Sequence, residues 1–325
     1  TGADDVTDDI KVVGIHPVKV LGLDGADTIT GGTGADTLTG SDGNDVIDGG
    51  LGADTIDGDA GDDVLYGDAG NDVIDGGADA DTITGGAGDD TITGGSDGAI
   101  DVAVFAGNQA DYTFASSADG LTVTVTHVST NDADTVTEVE TLRFNDGDIG
   151  VSREGSILVL TGANDVSDDI KIVGSYAVKV LGLDGADTIT GGTGDDTLTG
   201  SGGNDVIDGG LGADTIDGDA GSDMLYGDAG NDVIDGGADA DTITGGAGSD
   251  TITGGSDGAI DVAIFAGNQA DYTFASSWDG QTITVKEVST GYQDTVTQVE
   301  TLRFDDGDIG VSREGSILVL TGAND

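Results

Sequence analysis

From Gly22 to Thr93, glycine and aspartate return every nine residues without a gap, and the same eight nonapeptides recur from Gly182 to Thr253. That period limits the folds open to the chain. The cleanest unit, Gly31-Gly32-Thr33-Gly34-Ala35-Asp36-Thr37-Leu38-Thr39, has glycine at positions 1, 2 and 4, aspartate at 6 and a large aliphatic residue at 8. Glycine admits positive φ and close backbone approach, so the first six residues make a tight turn. Position 8 carries Ile29, Leu38, Ile47, Ile56, Leu65, Ile74, Ile83 and Ile92, each preceded by Thr or Val. This suits a three-residue strand with one side chain facing inward. Turn plus strand, taken twice, makes one coil, and stacked coils make an all-β solenoid.

Stacking aligns the position-6 aspartates in two columns. Like charges at a strand spacing of ~4.8 Å do not persist without a cation between them. The whole composition repeats this demand: 64 acidic residues stand against 9 basic ones, for a net charge of −55. Such a surface repels nucleic acid and anionic membranes, so neither is expected as a partner. High charge with few aromatics ordinarily describes a disordered chain, yet 36% of the residues are hydrophobic and many fall at regular intervals. Order that depends on a ligand reconciles the two. There is no cysteine, which leaves oxygen donors for a metal. Calcium accepts six to eight oxygens in flexible geometry, backbone carbonyls included, whereas magnesium keeps its waters and a strict octahedron.

These nonapeptides fit the form G-G-x-G-x-D-x-U-x, and on them the chain closely resembles the RTX (repeats-in-toxin) β-roll family. The resemblance implies a parallel β-roll, a right-handed β-solenoid, with each Ca²⁺ between the turns of nonapeptides n and n+2. It also implies ligands at Asp27, Asp36, Asp45, Asp54, Asp63, Asp72, Asp81 and Asp90. In the second copy they are Asp187, Asp196, Asp205, Asp214, Asp223, Asp232, Asp241 and Asp250. Several units depart from the pattern. Position 2 is Leu23, Ser41, Asp59 or Asp68, and position 4 of the seventh unit is Asp79, as at Asp239. Aspartate enters the left-handed region more readily than most residues, so Asp79 either preserves the seventh turn or redirects a carbonyl that should bind metal.

A longer period lies over the short one. Thr1-Gly2-Ala3-Asp4-Asp5 returns as Thr161-Gly162-Ala163-Asn164-Asp165 and begins again at Thr321; the two 160-residue copies differ at 22 positions. The expected organisation is a module at 1–160 (lead-in 1–21, β-roll 22–93, β cap 94–160) and a second at 161–320 (lead-in 161–181, β-roll 182–253, β cap 254–320). Residues 321–325 start a third. Gly94 to Phe105 reads as a ninth turn carrying an insertion, after which the period changes to two and implies cap strands at 102–105, 112–114, 121–128, 135–144 and 156–160. Asp101-Val102-Ala103-Val104-Phe105, Ala110-Asp111-Tyr112 and Val139-Glu140-Thr141-Leu142-Arg143-Phe144 resemble the segment that closes such rolls. Asp4, Asp5, Asp8 and Asp9, with Asp165, Asp168 and Asp169, are either solvated turns or a junctional calcium site.

Other functions have weaker support. Gly94-Gly95-Ser96-Asp97-Gly98 and residues 254–258 match G-x-S-x-G, but a nucleophile elbow needs a strand-to-helix turn and a histidine. His16 and His127 become Tyr176 and Glu287 in the second copy, so no catalytic residue is assigned and the chain is not expected to be an enzyme. Threonine rows at 28/30, 37/39, 82/84 and 91/93 are broken by Asp48, Asp57, Tyr66 and Asp75, which spoils an ice-binding plane. Tyr66, Tyr112, Trp278 and Tyr292 offer stacking surfaces for a glycan, though packing explains most such aromatics. The expectation is a calcium-dependent structural segment of a large secreted or cell-surface protein: extender, filament, S-layer or adhesin component, exported by type I secretion. The alternative is a module that binds a glycan, a surface or another copy of itself.

Overall fold

A computed structural model describes residues 7–164, 166–314 and 317–322. Asp4, Asp5, Asp165 and the continuation of the third copy at 323–325 lie outside them. The chain forms two compact units that meet in sequence between Leu158 and Val159. Both are all-β; the 3₁₀ turns Gln109–Asp111 and Gln269–Asp271 are the helical elements among the described residues. No helix there is long and apolar enough to cross a membrane.

Each unit is the expected parallel β-roll. In the first, one sheet runs Asp9–Lys11, Thr28–Gly32, Val46–Gly50, Val64–Ala69, Thr82–Ala87, Val102–Val104 and Thr141–Arg143, all parallel. The facing sheet runs Lys19–Leu21, Thr37–Asp42, Thr55–Ala60, Val73–Ala78, Thr91–Thr93 and Ala133–Thr137. Register is the nonapeptide doubled: Ile29 lies beside Ile47, and Leu38 beside Ile56. Two nine-residue turns per coil therefore bring each position above its own kind, and the aliphatics from Ile29 to Ile92 fill the interior at 0–1% exposure. The second unit repeats the arrangement, with Thr188–Thr190 to Val262–Ile264 in one sheet and Val178–Asp184 to Thr251–Gly255 in the other.

The cap differs in detail from the alternating strands read in the sequence. Residues 135–144 do not make one strand. Thr135, Val136 and Thr137 join one sheet, a turn follows at 138–140, and Thr141–Arg143 joins the other. Positive φ at Glu138 makes that break. Tyr112–Ser116 and Thr122–His127 form an antiparallel hairpin that pairs onto the edge strand Ala133–Thr137, and Asp148–Glu154 pairs antiparallel with Thr141–Arg143. Reversing strand direction ends the solenoid, since the next coil then has no parallel template. Phe105, Tyr112, Phe114 and Phe144 pack in a ring cluster with centroids 5.2–5.9 Å apart. It covers the end of the aliphatic column.

So thin a core makes each aliphatic count. Leu65→Ala in the calcium-saturated chain is expected to lose about 2–5 kcal/mol in urea unfolding. Leu51→Ala, at a side chain 56% exposed, is expected to lose under about 0.5 kcal/mol. Equal losses would show that the interior column does not carry the fold.

Candidate metal centre

The turn of each nonapeptide places its position-6 aspartate immediately before an inward-facing strand, so the carboxylate sits at the end of the core with the coil above in reach. All sixteen predicted aspartates are 1–2% exposed. They join into four hydrogen-bonded ladders. The Asp27 N–H donates to Asp45 Oδ1 (2.6 Å), Asp45 to Asp63 (2.8 Å) and Asp63 to Asp81 (2.9 Å). Asp36, Asp54, Asp72 and Asp90 make the second ladder at 2.6–2.9 Å. In the other unit Asp187, Asp205, Asp223 and Asp241 are linked at 2.8–2.9 Å, and Asp196, Asp214, Asp232 and Asp250 at 2.7–3.0 Å.

One carboxylate oxygen is thus satisfied and the other is not. Oδ2 of every one of the sixteen is buried with no hydrogen-bond partner. A buried carboxylate oxygen left without a partner is costly, so a column of them requires either protons or cations. The surroundings favour a cation. A Cβ built on Gly67 would meet Asp72 Oδ2 and the Gly85 carbonyl oxygen, both at 2.5 Å, and one on Gly236 would meet Asp241 Oδ2 and the Gly254 carbonyl at the same distance. Glycine at position 1 therefore keeps open a concavity lined by a carboxylate oxygen and a carbonyl oxygen from the next coil. No group of three or more Asp, Glu or His side chains that could hold a metal exists among the described residues. A centre here would draw its oxygens from carbonyls as well as from carboxylates, a donor set that calcium accepts.

Burial pushes many of these acids upward. Desolvation raises the Asp63, Asp81, Asp196, Asp223 and Asp232 carboxyls to about 7, and Asp72, Asp187, Asp214 and Asp241 to about 6. Donated backbone N–H groups pull the other way and only partly offset the burial.

The irregular turns hold their shape. Leu23, Ser41, Asp59 and Asp68 take φ of 70–89° at position 2, and Asp79 and Asp239 take 76° at position 4. Leucine in this region is strained, whereas aspartate is among the residues that tolerate it.

Sequence reasoning missed the ends of the ladders. Asp101 Oδ1 accepts the Asp81 N–H (2.9 Å), Asp134 Oδ1 accepts that of Asp90 (2.9 Å), and Glu140 Oε2 accepts that of Asp101 (3.0 Å). Asp261, Asp294 and Glu300 do the same in the second unit. Asp168 is 2% exposed and its N–H reaches Asp187 Oδ1. The signal was present as an acid followed by an x-U-x triplet: Asp101 before Val-Ala-Val, Asp134 before Thr-Val-Thr, Glu140 before Thr-Leu-Arg. Insertions between these triplets hid the period.

Ser96 lies between strands Thr91–Thr93 and Val102–Val104, with no helix following as an elbow needs. His127 packs edge-on against Tyr112 and hydrogen-bonds through Nδ1 to Ser129 and Thr130, and Glu287 makes the equivalent bonds to Ser289 and Thr290. Tyr112 is 7% exposed and donates its hydroxyl to the Ala106 carbonyl, which removes it as a stacking surface; Trp278, at 96%, is exposed.

The family model for the RTX calcium-binding nonapeptide repeat (four copies) matches residues 21–56, 48–83, 66–98, 181–216, 208–243 and 226–258. No curated protein matches the chain. Among solved structures, the extracellular lipase LipA from Serratia marcescens is similar at 20% identity and a TM-score of 0.21. The match covers 86% of this chain but only 38% of the lipase chain.

The raised carboxyls fix the sign of a pH effect without metal. Because their folded values lie above the ordinary 3.8, the folded chain binds more protons than the unfolded one between about pH 4 and 7, and stability falls as pH rises through that window. In chelator, the β signal in circular dichroism is expected to be stronger at pH 5.5 than at pH 8. In calcium, the midpoint is expected to move to higher Ca²⁺ as pH drops from 8 to 6, because bound ions displace protons. A chelated chain that gains β structure on going from pH 5.5 to 8 would contradict the burial of these acids.

Proposed function

Residues 21–98 and 181–258 are RTX calcium-binding nonapeptide repeats, and from that premise we propose that the chain is a calcium-switched structural segment of a secreted, surface-exposed protein. The observation that carries the reading is the set of sixteen buried Oδ2 atoms without partners, each beside a glycine-lined concavity. In this reading Asp27, Asp36, Asp45, Asp54, Asp63, Asp72, Asp81 and Asp90, with their eight counterparts in the second unit, are the side-chain ligands, and several Ca²⁺ bind per module. Carbonyls of the glycine-rich turns complete each coordination sphere. One Ca²⁺ between successive coils replaces repulsion along a ladder with attraction, and its binding energy becomes folding energy.

The switch fits export. Where calcium is scarce, a chain of net charge −55 with one interior aliphatic per nonapeptide stays unfolded and threadable, as type I secretion requires. Outside the cell, calcium at the millimolar level typical of weak extracellular sites folds it. The array of modules at 1–160 and 161–320 then serves as an extender, filament or layer component. Charge repulsion keeps it away from nucleic acid and from anionic membranes wherever multivalent cations do not bridge the two.

A calcium titration followed by far-ultraviolet circular dichroism tests this. Conversion from coil to β structure is expected at about 0.1–1 mM Ca²⁺ and not with equimolar Mg²⁺. A full β signal in excess chelator at pH 8 would defeat the proposal.

A further inference from the structure

We propose that each unit carries a terminal calcium site outside the matched repeats, built from Asp101, the carbonyl of Glu138 and Glu140 in the first and from Asp261, the carbonyl of Gln298 and Glu300 in the second. It rests on the reading of the ladders as calcium sites and extends them into the cap. The family model ends at residues 98 and 258, before any of these groups. Asp101 is 0% exposed and its Oδ2 is buried without a partner, the same condition as in the sixteen repeat aspartates. A Cβ on Gly94 would lie 2.7 Å from that oxygen and collide with the Glu138 carbonyl. The constellation is therefore that of an ordinary turn, with Glu138 O in the place held elsewhere by the position-1 glycine carbonyl. A Cβ on Gly254 would lie 2.8 Å from Asp261 Oδ2 and collide with the Gln298 carbonyl in the same way.

The glutamate follows from chain length. A regular turn has six residues ending in aspartate, but the turn before Thr141–Arg143 has only Glu138, Val139 and Glu140 after Thr137. Glu140 occupies the position-6 register, as its Oε2 accepts the Asp101 N–H and the Thr141 N–H donates to the Asp101 carbonyl. The shorter turn ends on the longer carboxylate, whose Oε2 reaches the ladder N–H at 3.0 Å. Position 140 is Glu in both copies, whereas 138 is Glu in one and Gln in the other. That difference is neutral if position 138 supplies only its carbonyl. Two carboxylates beside one carbonyl, close to the Gly77 carbonyl that a Cβ on Gly95 would strike, are hard oxygen donors of the kind calcium takes. Bound there, the ion would tie the cap to the last coil of the roll.

The test uses the full chain with Asp101→Asn and Asp261→Asn together, and separately with Glu140→Gln and Glu300→Gln. Each amide oxygen can still accept the ladder N–H, so loss of a purely structural hydrogen bond is not what is read. Bound Ca²⁺ is counted by native mass spectrometry and by equilibrium dialysis. The aspartate pair is expected to release two ions per chain, and the glutamate pair to weaken two ions roughly tenfold or more. Amide exchange at Thr141–Arg143 and Thr301–Phe304 should quicken while that of Thr55–Ala60 is unchanged. If the aspartate variant does not fold, the glutamate variant, at a partly exposed side chain, carries the test. Variants that bind the wild-type number of ions at the wild-type midpoint would overturn the terminal site alone. A wild-type chain that takes up no calcium would overturn the ladder reading beneath it.

Discussion

The structure depends on a carboxylate that is half satisfied. Each position-6 aspartate gives one oxygen to a backbone N–H of the neighbouring coil and leaves the other buried without a donor. The first oxygen sets the register, because an N–H and a carboxylate two nonapeptides apart meet only if the coils stack in phase. The second makes that stacking conditional. A column of unpaired buried charges raises the free energy of the folded state with every coil added, and only a counter-charge or protonation reverses the sign. Geometry and conditionality thus come from the two oxygens of the same side chain.

Glycine makes the arrangement possible by leaving space as well as by turning. At positions 2 and 4 it supplies positive φ, a role that Leu23, Ser41 and Asp79 also fill. Position 1 is different. There every one of the sixteen turns keeps glycine, because a Cβ would enter the oxygen-lined concavity. The substitutions tolerated at positions 2 and 4 and absent at 1 separate a conformational demand, which neighbouring hydrogen bonds can enforce on other residues, from a spatial one, which they cannot.

Most of the roll was legible in the sequence because period nine, taken twice, is the structural repeat itself. The side chains from Ile29 to Ile92 and the eight aspartates beside them fall where that arithmetic puts them. What escaped it was the continuation of the same arithmetic through insertions. Asp101 follows a turn lengthened by two residues, Asp134 follows a hairpin, and Glu140 follows a turn shortened by three. Pairing across the sheet ignores sequence distance, so the coil resumes wherever an acid and a triplet with a buried centre return. Local periodicity does not. The strand read across 135–144 failed for a related reason: alternation is the same on either side of Glu138, and only its positive φ moves the chain from one sheet to the other.

The direction of the ladder explains why the two ends of a roll are built differently. In every rung the earlier coil donates N–H and the later coil accepts with a carboxylate oxygen. The first member of a ladder therefore needs no carboxylate. Val18 and Val178 occupy that place, donating to Asp36 at 2.8 Å and Asp196 at 2.9 Å. The last repeat aspartates have the opposite requirement, since Asp81 and Asp90 present N–H groups that only a further acceptor can satisfy. Asp101 and Asp134 supply it, and the N–H of Asp101 passes the same requirement on to Glu140. A buried donor left unmet costs about 1–3 kcal/mol, so a roll of this polarity can begin on any residue but must end on a side-chain acceptor. The cap is acidic at these points because it finishes the ladder as well as covering the core.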